Sequence, residues 1–218
     1  MLIRSIEQTS QGVYKISPDE GSAFFLRKDY LSLVSESKLL PFGYGRLDID
    51  FDEVKPDESD VGFFNEEESE DILNAAFIYS VEKIALTYLS RAEHCRTGLY
   101  KKLLAKQIDK SAINSVLDYL ESVNLLNDYR FSSAWLRTRS INHFEGRIRL
   151  SAELQNRGVE KESAKKALDE FFSDKDEQEL CKKAYKKLQK SKKSEEKSIL
   201  ALQRLGFSNK EIFSVVKN

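Results

Sequence analysis

Three observations predict a mainly α fold made of tandem three-helix repeats (three units). These would form an elongated, curved body preceded by a small N-terminal element with short β-strands. All three prolines (Pro18, Pro41, Pro56) fall in the first 56 residues, and only Gly98, Gly146, Gly158 and Gly206 follow Gly62. A long stretch without proline reads as helix after helix, because proline removes a helix hydrogen bond and clashes with the preceding turn. The same pattern of helix end, turn, apolar residue and helix start recurs at Leu103–Asp109, Leu154–Glu160 and Leu202–Ser208. Each copy then runs into an apolar stripe at helical spacing: Ile113, Val116, Leu117 and Leu120; Ala164, Ala167, Leu168 and Phe171; Ile212, Val215 and Val216. Hydrophobic residues make up 40% of the 218, enough for a core, and the 33% that are charged suit solvated helices.

Taken in order, residues 1–65 form a small acidic segment, α/β or irregular. Residues 1–28 read as short strands, with β-favouring runs at Val13–Ile16 and Ala23–Leu26 separated by the turn-rich Ser17–Gly21, and a short helix follows over Asp29–Ser35. Residues 66–125 are the first repeat, with helices over 66–90, 93–106 and 109–123. Asn65 and Glu68 form a capping box at its start, and Glu66 and Glu67 favour the positive helix end. Residues 126–173 are the second repeat (128–141, 145–157, 161–172), and residues 174–218 the third (175–192, 195–205, 208–217). Gly158 and Gly206 suit left-handed helix closures. Asp109, Ser194 and Ser208 are N-cap residues, Ser208 forming a second capping box with Glu211. Stacked units of this kind touch chiefly their neighbours.

Several function classes find no support. The N-terminal MLIRSIEQTS lacks the apolar stretch of a signal peptide, and no apolar run approaches the ~20 residues of a membrane span. Asp48, Asp50 and Asp52 alternate, but a calcium loop needs glycine where Glu53 stands and a glutamate where Ser59 stands. His94 beside Cys95 has no further ligand at metal spacing, Cys181 is remote, and His143 has no catalytic partner pattern. The net charge of −1 conceals an asymmetry: 7 basic against 17 acidic residues over 1–80, and 28 against 19 over 81–218. A basic half points to an anionic partner, nucleic acid first.

The second repeat reads Asn127-Asp128-Tyr129-Arg130-Phe131 through Trp135, Leu136, Arg137 and Arg139, then Gly146-Arg147-Ile148, Leu154 and Gly158-Val159. This ordered set resembles the RecX family, with similar segments at Tyr88–Arg91, Leu99 and Leu103 before it and at Gly206-Phe207, Ile212 and Val215 after it. The resemblance covers roughly residues 80–218. Gly98 stands where the family usually has glutamate, and Gln107 and Asn124 stand where it usually has glycine. The resemblance implies a cytoplasmic regulator that binds the RecA filament on DNA. It would modulate, most often inhibit, RecA's ATPase, strand exchange and SOS co-protease activity. It also implies no enzyme activity, no catalytic residue, no cofactor and no metal. The expected partners are RecA and single- or double-stranded DNA but no membrane, and the expected state is a monomer.

Two groups of residues are candidates for these contacts. Lys182, Lys183, Lys186, Lys187, Lys190 and Lys193 cluster along one side of a helix whose other side carries Leu180, Ala184 and Leu188. This face either meets DNA phosphates or an acidic filament surface, or is simply a solvated face. Arg137, Arg139, Arg147 and Arg149 either grip phosphate or carboxylate groups or pin helices together. Tyr129, Phe131 and Trp135 read as core. Two rival functions remain: a helical nucleic-acid-binding module or transcription regulator acting without RecA, and an enzyme with an acidic metal site around Asp48, Asp50 and Asp52.

Overall fold

The computed structural model describes residues 1–43, 62–173, 175–190 and 194–216. Asp48, Asp50 and Asp52, and Lys193 of the lysine face, lie outside the described residues. The chain divides into two compact units: Met1–Thr87 with Leu103–Ser122, and Tyr88–Lys102 with Val123–Asn218.

The first unit holds an antiparallel sheet in the order β3-β2-β1-β4, from β1 (Ile3–Ser10), β2 (Val13–Pro18), β3 (Phe24–Arg27) and the two-residue β4 (Phe42–Gly43). β1 and β2 form a hairpin whose last pair is Ser10 with Val13. Gly12 in its turn has φ +70°, a left-handed conformation that glycine adopts without steric cost. Ile3, Ile6, Val13, Ile16 and Leu26 are buried. The helix expected over Asp29–Ser35 is two 3₁₀ turns instead, Lys28–Tyr30 and Glu36–Leu39. The backbone between them is held by Asp71, which accepts hydrogen bonds from the N–H groups of Ser32, Leu33 and Val34 at 2.8–3.1 Å.

Helix α1 (Glu66–Leu89) starts at the expected capping box. Glu68 N–H donates to Asn65 Oδ1 at 2.9 Å, and Asn65 N–H donates back to Glu68 Oε2 at 3.2 Å. Its buried Glu82 receives a two-pronged Arg27 bond (2.7 Å each) and the Tyr30 hydroxyl (2.9 Å), and Arg27 lies 4.3 Å over the Tyr119 ring. Contrary to the expectation from sequence, α1 meets the length and composition of a membrane span, alone among the described helices. Its buried Asp71 and Glu82, both matched to partners within the unit, make it a core helix. Helix α3 (Lys110–Ser122) of the same unit buries the expected stripe of Ile113, Val116, Leu117 and Leu120.

The remaining helices are α2 (Arg96–Leu104), α4 (Asp128–Asn142), α5 (Arg147–Asn156), α6 (Lys161–Ser173), α7 (Glu177–Gln189), α8 (Glu195–Arg204) and α9 (Asn209–Val216). The order matches the expected helices, with starts at α2, α5 and α7 two or three residues later; at α7 the preceding Asp176 caps the helix by accepting Gln178 N–H. Two apolar clusters fill the second unit: Leu136, Leu150, Leu154, Val159, Ala164, Ala167 and Leu168 with Cys95; and Cys181, Ala184, Leu202, Phe207, Ile212 and Val215. Tyr129, Phe131 and Trp135 pack against the first cluster, as a core role requires.

Candidate partner and nucleic-acid interface

The basic surfaces stand on a junction that occurs twice in the second unit. The turn between α5 and α6 closes against the start of α2: Thr97 Oγ1 donates to Gly158 O at 2.8 Å. The turn between α8 and α9 closes in the same way against the start of α5, where Gly146 N–H donates to Leu205 O (2.8 Å) and Ile148 N–H to Gly206 O (3.3 Å). The approach leaves no room for a side chain. A Cβ on Gly206 would sit 2.3 Å from Arg149 N, and one on Gly146 would sit 2.3 Å from Gly206 O. Gly158 and Gly206 also have φ +75° and +85°. The matching turn after α2 carries Gln107 at φ +61°, and Asn124 has φ +57°. Both of these glycine-type positions are occupied by residues that bear the left-handed conformation at some cost, and both are exposed.

Asp128 and Arg130 shape the first junction, a role their sequence context did not reveal. The Asp128 carboxylate accepts Arg96 N–H at 2.7 Å and Glu160 N–H at 2.8 Å, so one side chain satisfies the starts of two helices. Arg130 bonds Glu93 (2.5 Å) and the carbonyls of Asn124 and Leu125 (3.0 and 2.9 Å).

Three of the four candidate arginines are engaged within the protein. Arg139 forks onto Glu145 at 2.7 and 3.0 Å, and Arg149 reaches the same carboxylate at 2.7 Å and Arg204 O at 3.1 Å. Glu145 is 4% exposed. Burial works against its ionisation, yet Arg139 and Arg149 hold its carboxyl below the usual range. Arg147 binds Asp169 at 2.5 Å, approaches Glu177 at 3.7 Å and lies 4.9 Å over the Phe172 ring. Arg137 differs: it is exposed and has no carboxylate partner among the described residues.

The lysines of α7 face outward. Lys182, Lys183, Lys186 and Lys187 on the helix, and Lys190 at its C-cap, are all exposed, while Cys181 and Ala184 are buried and Leu180 and Leu188 half-buried. Burial pushes the Cys181 thiol up to about 11, so it stays protonated and unreactive. Among these lysines and the described carboxylates, one pair forms: Lys183 with Glu179, at 2.8 Å one turn away. Lys187 sits at the edge of the ridge and lines a cleft of about 260 Å³ with Phe144, Glu145, Leu188 and Leu205. Sequence periodicity alone located this face. It did not find Lys175, whose ammonium lies 4.2 Å over the Phe171 ring beside Arg137.

Family profiles described as "RecX, first three-helix domain" and "RecX, second three-helix domain" match residues 83–120 and 127–168. A protein named regulatory protein RecX, from Treponema pallidum strain Nichols, is 36% identical over 130 residues, which span 60% of this chain and 79% of the relative. One of the same name from Clostridioides difficile strain 630 is 29% identical over 135 residues, spanning 62% of this chain and 63% of the relative. Among solved structures, one described as regulatory protein RecX superposes over 99% of this chain and 98% of its own, with a TM-score of 0.69 at 23% identity. RecX from Lactobacillus salivarius superposes over 64% of this chain and 94% of its own, with a TM-score of 0.57 at 25% identity.

Proposed function

This chain belongs to the RecX family, a family of regulatory proteins, and we propose on that basis that it is a cytoplasmic, non-enzymatic regulator of the RecA filament. It binds RecA assembled on DNA as a monomer and lowers RecA's ATPase, strand exchange and SOS co-protease activity. The observation that carries this reading beyond the family is the lysine face of α7. Lys182, Lys186, Lys187 and Lys190 project to solvent with no carboxylate partner among the described residues. An ordered row of unpaired ammonium groups suits a polyanion: the phosphates of a strand, or the acidic surface of a polymer wound on it. Arg139, Arg147 and Arg149 are bound to carboxylates of their own protein, so their contribution is to hold helices in place. Lys182, Lys183, Lys186, Lys187, Lys190 and Lys193, with Arg137, form the contact surface.

The deciding experiment is RecA's ATPase on single-stranded DNA, titrated with this protein below one copy per RecA. The expected outcome is a fall in rate that Lys182→Gln, Lys186→Gln and Lys190→Gln together largely abolish. An unchanged rate, with intact helical circular dichroism and salt-sensitive DNA binding, would replace this reading with a nucleic-acid-binding protein that acts without RecA.

A further inference from the structure

A second cleft in the same unit, of about 200 Å³, is lined by Ser133, Arg137, Ala167, Glu170, Phe171 and Lys175. Its charges are arranged unlike those elsewhere on α4 and α5. Arg130, Arg139, Arg147, Arg149 and Arg157 each meet a carboxylate within 4 Å. Arg137 has none among the described residues, and neither has Lys175, which donates instead to Ser140 Oγ at 2.8 Å. The carboxylate at the cleft, Glu170, accepts a hydrogen bond from the Tyr129 hydroxyl, which occupies one of its oxygens and leaves its charge in place. The Ser133 hydroxyl is buried without a hydrogen-bond partner.

Two cations, neither ion-paired among the described residues, share one small depression with the single carboxylate Glu170, so its lining carries a net positive charge, and one of the cations rests on an aromatic ring. Burial, and then the neighbouring Lys183, hold the Lys175 ammonium below its ordinary range. Lys175 stands two residues before the start of α7, the helix that carries the lysine face, which places the cleft at one end of that face. Like charges at close quarters are destabilising until an anion enters. A half-enclosed cleft with an apolar floor strengthens that attraction, because water screens it less. Arginine supplies a planar fork for two oxygens and lysine a movable point charge, a combination suited to tetrahedral phosphate.

We propose that Arg137 and Lys175 clamp one phosphate group of a nucleic-acid strand, anchoring it at the edge of the α7 lysine face. The proposal rests on the DNA-binding part of the function proposed above. It adds Lys175 to the contact surface and gives Arg137 a partner.

The test uses the full chain and a fluorescent single-stranded oligonucleotide, titrated at several salt concentrations. Arg137→Gln, Lys175→Met and the pair Lys182→Gln with Lys186→Gln are compared with the unaltered protein. Arg137 is exposed, so its variant keeps the fold even where loss of the Lys175 contact with Phe171 weakens it. The expected result for Arg137→Gln and Lys175→Met is a loss of affinity of about threefold or more, uniform across sequences. The slope of log affinity against log salt should fall by about 0.7 for the lost phosphate. Unchanged affinity and slope in these two, with both lowered in the Lys182/Lys186 variant, would overturn the clamp and leave the DNA reading standing. Inorganic phosphate is titrated in parallel, followed by the NMR signal of the Arg137 side chain. A response to phosphate without any oligonucleotide binding would overturn both the strand as its source and the DNA reading. Absence of both responses would overturn the clamp and the DNA reading together.

Discussion

Glu145 decides what the arginines around it can do. One buried carboxylate holds Arg139 and Arg149, so its loss takes away the carboxylate that Arg139 forks onto and leaves Arg149 with Arg204 O and the more distant Glu153. Glu145→Gln should destabilise the protein by about 2 kcal/mol in urea unfolding, the scale of lost charge-assisted hydrogen bonds to two partly exposed arginines. Its carboxyl is held below the ordinary range. The stability it contributes is therefore present above the unfolded value of 4.5 and is lost as pH falls through the lower folded value. At the turns, opposite outcomes are expected from similar exchanges. Gly206→Ala should cost about 2 kcal/mol or more, since its Cβ would strike Arg149 backbone at a positive φ. Gln107→Gly should stabilise by up to about 1 kcal/mol, because it relieves a left-handed conformation at an exposed site. Thermal unfolding of both variants checks the pair. The turn positions are legible in the sequence because local backbone geometry selects for glycine. The neutralisation of Arg147 is not, because Asp169 lies on another helix 22 residues away.

Among the elements, α7 joins an exposed basic side to a first turn that holds a half-buried carboxylate, Glu177. Glu177 in its first turn approaches Arg147, but burial and the neighbouring Glu211 carboxyl raise its acid range above the ordinary value. A raised folded value means that stability is greatest below the unfolded value and is lost as pH rises through the folded one. Glu177→Gln should therefore be more stable than the unaltered protein at neutral pH, with the difference shrinking as pH falls; paired melts across that range measure it. Substituting Lys182, Lys186 and Lys190 by glutamine should leave stability within about 0.5 kcal/mol, as expected for surface changes. Helices were the legible elements here: the Asn65–Glu68 and Ser208–Glu211 capping boxes form as their spacing predicts. The bounds of β1 were not legible within the strand-like residues 1–28, because only Ile3 and Ile6 of its eight residues are buried and the rest are mostly polar. Its strand character comes from pairing with β2, a partner that local propensity does not record.

For the molecule as a whole, the first unit draws on two separate segments, Met1–Thr87 and Leu103–Ser122, with residues 88–102 between them belonging to the second unit. Its α1 carries Asp71 and Glu82 buried, and their partners come from residues 27–34. A chain truncated to residues 66–218 should therefore lose ordered packing around α1 and α3, because two buried carboxylates would be left unmatched. Near-ultraviolet circular dichroism and dye binding would show it as a loosened state, while the helical signal largely persists. The fold class was legible in the sequence because repeated helical stripes leave a strong periodic trace. The division into units was not, since it depends on which distant segments meet. The two closed turns, at Gly158 and Gly206, also carry a record of how such an array is extended. Each later repeat presents a bare backbone to the repeat before it, whereas the first turn, at Gln107, keeps a full glutamine side chain. A fourth unit grafted ahead of the first would thus need Gln107 changed to glycine before it could seat, whereas one grafted behind the third would have to bring its own.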